Sequence, residues 1–175
     1  MAGLPDAVRA LAELSPVEDI LLAVLRDGLP GVAVNSLIGA HQRFPLVLAR
    51  RAPHFGEWQG DTRFLDSADV TVHTFAEDPN GDEDAAILAE AARVVLRNAW
   101  LYHRSVPDRG HITRVQMTSA PRRVTDWATA SGPVQYADLP TGVWRYETTY
   151  RIEIRKPRIR PFPPRRTEEP PRGRK

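Results

Sequence analysis

The chain has 175 residues, a net charge of +2 and no cysteine. This length fits one domain that can bury roughly 70% of its unfolded surface, so folding requires neither a disulfide nor a metal. The absence of cysteine excludes a disulfide framework, a thiol nucleophile and every zinc site built on cysteine.

The charges divide the chain into two parts. Residues 1–154 carry 15 basic and 20 acidic side chains, whereas residues 155–175 carry nine basic and two acidic ones, together with six prolines. A segment so rich in charge and proline cannot build a core. We therefore predict a folded domain over residues 1–155 and a basic Pro/Arg-rich C-terminal arm over residues 156–175. The lack of a signal-like start and of any stretch near ~20 apolar residues predicts a soluble, non-secreted protein.

Two helices are predicted, preceded by a short helix or turn over residues 4–14. The first helix starts at Ser15 and Pro16, a serine cap followed by proline at the first helical position. It ends where Gly28 precedes Pro30. Its apolar stripe has helical spacing and comprises Val17, Ile20, Leu21, Val24 and Leu25.

Two strands and a long loop follow the first helix. Residues 32–38 and 45–52 have the β-branched content and flanking breakers of strands, and we expect them to pair. Residues 53–66 show no apolar period and contain two glycines and a proline, which predicts a loop. Its large aromatic side chains form either a binding surface or a small core tucked under the domain. They are Phe55, Trp58 and Phe64.

A strand over residues 67–76 leads into the longest helix, residues 82–103. Apolar and small side chains alternate with polar ones in the strand. In the helix, apolar residues recur at spacings of three and four, which predicts burial along most of its circumference. They are Ala85, Leu88, Ala92, Val95, Ala99 and Tyr102, flanked by Ile87, Ala91, Val94 and Leu101. Acidic residues 82–84 suit the positive end of the helix dipole.

Two further strands complete the pattern. The first covers residues 111–120 and is followed by a loop over residues 121–142. Its less polar face carries Thr113, Val115 and Met117. Residues 144–155 alternate most regularly, with Trp144, Tyr146, Thr148, Tyr150, Ile152 and Ile154 opposite Arg145, Glu147, Thr149, Arg151, Glu153 and Arg155. This predicts one covered and one exposed face. The element order predicts an α+β two-layer sandwich, with two helices packed on one face of a mostly antiparallel sheet.

The sequence offers little evidence for chemistry. Asp78, Asn80 and Asp82 match the first half of a calcium loop, but Glu83 replaces the required glycine and Ala89 the final glutamate. The five histidines lack metal-ligand spacing, and there is no phosphate loop, nucleophile elbow or zinc-protease motif. We therefore expect no enzymatic activity, no cofactor and no metal site.

The arm contains arginines that we predict to bind a partner: Arg155, Arg158, Arg160, Arg165, Arg166, Arg172 and Arg174. Residues 171–175 are similar to the core of an AT-hook, whose arginines enter a narrow minor groove. Pro161 and Pro164 also fit a P-x-x-P motif. A solvated basic tail is the competing interpretation.

Several stretches resemble the tail terminator, or tail completion, proteins of long-tailed bacteriophages. They are residues 17–34, 45–50, 68–76, 115–124 and 145–155. The resemblance covers residues 16–155. The longer loops at 53–66 and 121–142 and the basic arm depart from the family pattern.

The resemblance implies a structural virion protein. It would form a six-subunit ring at the head-proximal end of the tail tube, terminate tube growth and join the tail to the neck. Its partners would be further copies of itself, the tail tube protein and a head-tail connector or neck protein, in the host cytoplasm during assembly and then in the virion. The charges of the last strand suit ladders between subunits, through Arg145, Glu147, Arg151 and Glu153, and an ordinary solvent-exposed sheet face is the competing interpretation. An acidic body suits a bore in which passing DNA makes only non-specific contacts.

Two other functions stay open at this point. A DNA-binding accessory protein would act through the basic arm, although that role favours a basic face on the folded domain as well. Another head-tail adaptor or neck protein would more often be mainly helical.

Overall fold

The computed structural model describes residues 16–38, 43–52, 65–124 and 142–155, together with Pro5 and Val8. Within these residues, two helices and six strands form an α+β domain, so the predicted fold class is confirmed. The helices are α1 (Val17–Gly28) and α2 (Gly81–Leu101). The strands are β1 (Ala33–Asn35), β2 (Leu46–Arg51), β3 (Leu65–Glu77), β4 (Ser105–Val106), β5 (Gly110–Arg123) and β6 (Val143–Arg155). The predicted element at 4–14 (apart from Pro5 and Val8), most of both long loops and the arm lie outside the described residues.

The six strands form one mixed sheet in the order β1-β2-β3-β6-β5-β4. The first two strands pair as expected and run parallel, although β1 has only three residues. Every other neighbouring pair is antiparallel. Helix α2 packs against β3, β5 and β6, while α1 packs against α2 and against β1 and β2. The helices therefore form one layer on one face of the sheet. None of the helices in the described part of the chain is long and apolar enough to cross a membrane.

Helix α1 presents one apolar side to the core, as its spacing predicts. It begins directly after Pro16 and ends at Gly28. Gly28 allows α1 to approach α2 closely, because a Cβ atom there would lie 2.4 Å from Cγ1 of Val95. The guanidinium of Arg26 donates hydrogen bonds of 2.8 and 3.0 Å to the carbonyl oxygen of Val34, and these bonds tie the end of α1 to β1.

Helix α2 buries one face, its flanks are partly buried, and the remaining side is exposed; the predicted stripe fails at particular residues. The buried side chains are Ala85, Leu88, Ala89, Ala92, Leu96 and Ala99. Tyr102, expected in the stripe, is 78% exposed because the helix ends at Leu101. Ile87 and Leu101 are also exposed, since the sheet covers only one side of the helix. Conversely, Leu96 was not assigned to the apolar stripe and is fully buried.

The main core lies between this helix layer and the sheet. Strand β3 contributes Val70 and Val72, and β6 contributes Tyr150 and Ile152, all of them buried as predicted. β3 and β6 pair over their full lengths, from Leu65 opposite Arg155 to Glu77 opposite Val143. A buried hydrogen bond of 2.8 Å from Thr74 Oγ1 to the carbonyl oxygen of Ala85 links β3 to α2. Together these contacts fix the position of α2 on the central strands.

Strand β5 departs from the predicted alternation because its register against β6 is irregular at three points, of which the first is a bulge near its start. Its register against β6 shifts between Ile112 and Arg114, which leaves Thr113 as the extra residue. Ile112 and Val115 consequently face the same side of the sheet, although they are three residues apart. Ile112 is fully buried, whereas Met117, in the middle of the strand, is 43% exposed. The strand also continues through Arg123, past the proline expected to end it at position 121.

The second face of the sheet is partly covered, contrary to the expectation of one exposed face. Leu46, Leu48 and Phe75 form a small apolar cluster there, and all three are fully buried. Ile38 and Phe44, which lie in the connection between β1 and β2, pack against this cluster. The connection therefore shields one end of the face, and the charged side chains beside the cluster are buried with it.

Candidate functional site

The side of the sheet away from the helices carries rows of charged residues from three strands. We call it the charged face, and it comprises Asp69 and His73 on β3, Arg114 and Arg122 on β5, and Arg145, Glu147, Arg151 and Glu153 on β6. Strand β6 lies between β3 and β5, so Glu147, Arg151 and Glu153 each have a paired residue on both neighbouring strands. The sequence predicted the β6 residues but could not show which residues of the other strands stand opposite them.

The inner end of the charged face is a buried cluster around Arg145, Glu147 and His73, each at most 7% exposed. Nη2 and Nε of Arg145 lie 3.2 and 3.4 Å from Nδ1 of His73. The same Nη2 donates to Oε2 of Glu147 over 3.3 Å. Arg122 completes the cluster from β5 by donating to Oε1 of Glu147 over 2.7 Å. The buried carboxylate therefore contacts two guanidinium groups, which offset the cost of its desolvation.

Burial and neighbouring charge set the protonation states of this cluster. Burial first, and then the positive charges of Arg145 and Arg50, lower the pKa of His73 to about 3 against the opposing effect of Glu147. His73 is therefore neutral at physiological pH, and Nδ1 can accept hydrogen bonds from Arg145. Burial tends to raise the pKa of Glu147, but the hydrogen bond from Arg122 and the nearby positive charges outweigh it, and the net pKa is lowered.

The cluster contains no nucleophile beside a base, and its groups are engaged with one another. Phe75 packs against its apolar side, with the Arg145 Cζ atom 5.9 Å from the ring centroid. This arrangement suits a structural role, because removing one partner would leave a buried charge without compensation. It offers no reacting geometry for general acid or base catalysis.

The outer end of the charged face is open to solvent. Arg151 donates to both carboxylate oxygens of Asp69 over 2.9 and 3.1 Å, and its side chain is 49% exposed. Glu153 lies 3.6 Å from Arg114, with a side chain that is 28% exposed. Pairs this exposed contribute little to folding, about 0–1 kcal/mol each, and can exchange partners at low cost. The outer end is therefore the part of the face available to another molecule.

The structure thus brings the four residues predicted for a subunit interface onto one face, but it places them in two environments. Arg145 and Glu147 are buried within the subunit, whereas Arg151 and Glu153 reach solvent. Of the arm arginines, only Arg155, at the exposed end of β6, belongs to the described residues. The other arm arginines lie outside that part of the chain, as do the loop aromatics Phe55, Trp58 and Phe64.

The acids considered for calcium binding interact with side chains of β5 and β6. Oδ1 of Asp78 accepts a 2.7 Å hydrogen bond from Nε1 of Trp144. Oδ1 of Asp82 accepts one of 3.2 Å from Tyr146 and lies 3.5 Å from Nε of Arg123. Arg123 also stacks over the Trp144 ring at 4.1 Å. Within the described ranges, no three histidine, aspartate or glutamate side chains are grouped so as to hold a metal ion.

An apolar groove lies at one end of the domain, between the end of α1, the first half of α2 and the start of β2. It encloses about 380 Å³. Most of its lining is apolar, including Leu29, Phe44, Pro45, Ile87, Leu88 and Ala91. Its acidic groups are Glu77 and Asp84, both exposed. Sequence reasoning missed this groove, because its walls come from segments far apart in the chain; the apolar Ile87 on an otherwise polar helix side was the available signal.

Comparison with known proteins gives likenesses among solved structures. No protein-family model and no curated protein matches the sequence. Among solved structures, the chain is similar to one chain of the virion of a native gene transfer agent particle, with a TM-score of 0.47 and 15% sequence identity. The alignment covers 79% of this chain and 94% of that chain.

Proposed function

We propose that this protein is a tail terminator subunit of a phage-like particle, which forms a ring at the head-proximal end of the tail tube, ends tube growth and joins the tail to the neck. One observation carries the proposal. The stretches that resemble the tail terminator family at residues 17–34, 45–50, 68–76, 115–124 and 145–155 fall on α1 with β1, β2, β3, β5 and β6, in that order. The resemblance therefore follows the regular elements of the domain and is not confined to isolated turns.

The sheet also offers a surface suited to contact between copies. β4 pairs only with the first two residues of β5, Gly110 and His111. Beyond them, the outer edge of β5 has no strand partner within the described ranges, over a length of about 40 Å at ~3.3 Å per residue. An open strand edge presents unpaired backbone donors and acceptors to a neighbouring chain. A closed ring of more than two identical subunits needs a head-to-tail contact, in which this edge would meet a different surface of the neighbouring copy.

Within the charged face, we assign contact between subunits to Arg151 and Glu153. Both lie at the exposed outer end, and their present partners, Asp69 and Arg114, hold them only weakly. Arg145 and Glu147 support the sheet from inside in this proposal. Substituting Glu147 would therefore disturb folding and is unsuitable for testing assembly.

The assembly test uses charge reversal at the outer end. Glu153→Arg should reduce the mass of the particle measured by light scattering while leaving the thermal midpoint of unfolding nearly unchanged. The matched control is Glu90→Arg, which makes the same charge change on the exposed side of α2, where Glu90 forms an ion pair with Arg93. A wild-type protein that stays monomeric at high concentration, also in the presence of tube ends, would refute the ring.

The function itself is tested with polymerising tail tube protein from the same particle. Adding the purified protein should stop growth of the tubes at one end, as measured by tube length in electron micrographs. Unchanged lengths would contradict the terminator role. Selective binding of A·T-rich over G·C-rich duplex, lost on removing residues 157–175, would instead favour the DNA-binding role through the arm.

A further inference from the structure

The apolar groove has the features of a docking site for an apolar segment with positive charges. Ile87 is 58% exposed at its rim, although its neighbours Leu88 and Ala91 turn towards the domain. Glu77 and Asp84 flank the groove and form no ion pair with other described residues. A fitting occupant would therefore fill the groove with one or two apolar side chains and bring cations to these acids.

The C-terminal arm has this composition. Ile159 and Phe162 are its only large apolar residues, and Arg158, Arg160 and Arg165 surround them. A polyproline conformation, which Pro157, Pro161, Pro163 and Pro164 favour, has three residues per turn and a rise of about 3.1 Å per residue. Residues three positions apart then lie on the same side, about 9 Å from each other. Ile159 and Phe162 would thus enter the groove together while arginines stay at its rim.

The arm of a subunit cannot place these side chains in that subunit's own groove. The arm leaves the domain at Arg155, which pairs with Leu65 at the start of β3, whereas the groove contacts Ala76 near the other end of that strand. Eleven residues of strand separate the two points, about 36 Å at ~3.3 Å per residue. Phe162 is seven residues beyond Arg155 and reaches at most about 25 Å even when the chain is fully extended. The groove that receives Phe162 must therefore belong to another copy.

We propose that the apolar groove of one subunit binds residues 158–165 of a second copy, with Ile159 and Phe162 in the groove and the arginines against Glu77 and Asp84. This inference rests on the proposed function in so far as it requires assembly of copies. It identifies the partner of the arm as the neighbouring subunit. Each subunit both gives and receives an arm, which is a head-to-tail contact and closes into a ring when the rotation per subunit permits.

The chain contains no cysteine, so the contact can be trapped between introduced cysteines. Full-length Ile87→Cys protein is mixed with full-length Phe162→Cys protein, and disulfides are allowed to form under mild oxidation. We expect a dimer that joins the two variants on a non-reducing gel. The matched control is Leu101→Cys, which lies on the same helix with similar exposure, 53% against 58%, but about 21 Å along the axis. Leu101→Cys should form at least tenfold less disulfide-linked dimer with Phe162→Cys.

The acids at the rim give a second readout. Glu77→Gln combined with Asp84→Asn in the Ile87→Cys protein should slow the formation of the joined dimer roughly two- to fivefold, because the exposed ion pairs with the arm are lost. Raising the salt concentration should slow the reaction of the Ile87→Cys protein that retains both acids and have less effect on the protein that lacks them.

Several results would overturn the inference. The first is that Phe162→Cys joins equally well to Ile87→Cys and to Leu101→Cys, and the second is that it does not join to Ile87→Cys at all. The third is an intramolecular disulfide in a diluted chain that carries both Ile87→Cys and Phe162→Cys. A link from Ile87→Cys to a cysteine placed within residues 1–15 of the same chain would assign the groove to that segment instead. The mass of the wild-type particle is measured in parallel. A ring without the link rejects only this inference, whereas the link without a ring rejects only the ring proposal.

Discussion

The buried imidazole of His73 makes the stability of the domain depend on pH in a range where few other groups titrate. In the native state its pKa is lowered to about 3, by burial first and by Arg145 and Arg50 next, against 6.5 for an ordinary histidine. Between these two values the unfolded chain binds a proton that the native protein does not bind. The free energy of unfolding therefore decreases as the pH falls, by up to ~1.4 kcal/mol per pH unit.

From pH 7.5 to pH 5.0, this single group should lower the free energy of unfolding by about 2 kcal/mol. Glu147 acts in a different range. Its pKa is also lowered, so its stabilisation is present above an unfolded value near 4.5 and is lost as the pH falls through its native value. The interval between pH 7.5 and 5.0 therefore isolates the imidazole from the carboxylate beside it.

The measurement is urea unfolding followed by tryptophan fluorescence at both pH values, for the wild type and for His73→Gln. The variant should lose about 2 kcal/mol less than the wild type over this interval, whatever its stability at pH 7.5. One subunit concentration is used throughout and the experiment is repeated at a tenfold lower one, since association adds a concentration-dependent contribution.

The matched control is His111→Gln, which removes a second imidazole on β5. Burial of that side chain, then His103 and Arg155, lower the pKa of His111, so its contribution has the same sign. It lies opposite Arg155, at the other end of β6 from the buried cluster. If His73→Gln left the pH dependence unchanged, or if His111→Gln removed all of it, the assignment to the buried cluster would be refuted.

Three further substitutions test the packing, each by its free energy of unfolding. Leu96→Ala should lower the free energy of unfolding by about 2–5 kcal/mol, because the side chain is fully buried. Leu101→Ala, at 53% exposure on the same helix, should lower it by less than about 0.5 kcal/mol. Equal losses would contradict the assigned helix face. Tyr150→Phe should raise stability by up to about 1 kcal/mol, since the buried hydroxyl has no hydrogen-bond partner within 3.5 Å in the described ranges and Thr148 is a more distant polar neighbour. A loss of that size would show that the hydroxyl bonds to Thr148. Gly28→Ala should cost about 1–3 kcal/mol through its clash with Val95, and adding Val95→Ala should recover part of that loss; additive effects of the two changes would argue against the close contact.

The elements with a strong local period could be predicted from the sequence. The alternation of residues 144–155 and the 3-4 spacing in α2 each determine a face without knowledge of the rest of the fold. Tyr102 fitted the helical spacing but lies beyond the end of α2, and spacing alone does not show where the covering sheet ends. Thr113 shows the opposite difficulty, because each bulge residue reverses the faces of the strand up to the next irregularity and leaves no clear mark in the sequence.

The candidate site depended on register, which a local pattern does not contain. Arg145 and Glu147 were predicted on the charged side of β6, yet their burial follows from the partners opposite them, Phe75 and His73 on β3. A shift of β3 by two residues would preserve every alternation and would remove those neighbours. The packing of Ile38 and Phe44 over this face could not be predicted from the sequence either, since these residues belong to the connection after β1 and have no strand period.

The position of β6 in the sheet also has a consequence for how the chain reaches its native state. This strand is the last of the six in sequence but lies between β3 and β5, so the β1-β2-β3 half and the β5-β4 half share backbone hydrogen bonds only through it. Its pairing with β3 joins residues as far apart as Leu65 and Arg155, and such distant pairings are slow to form. During synthesis both halves must wait, with their inner edges open, until the final strand has been made. We therefore expect chains shortened before residue 143 to aggregate instead of folding, and chaperones to bind the growing protein late in its translation.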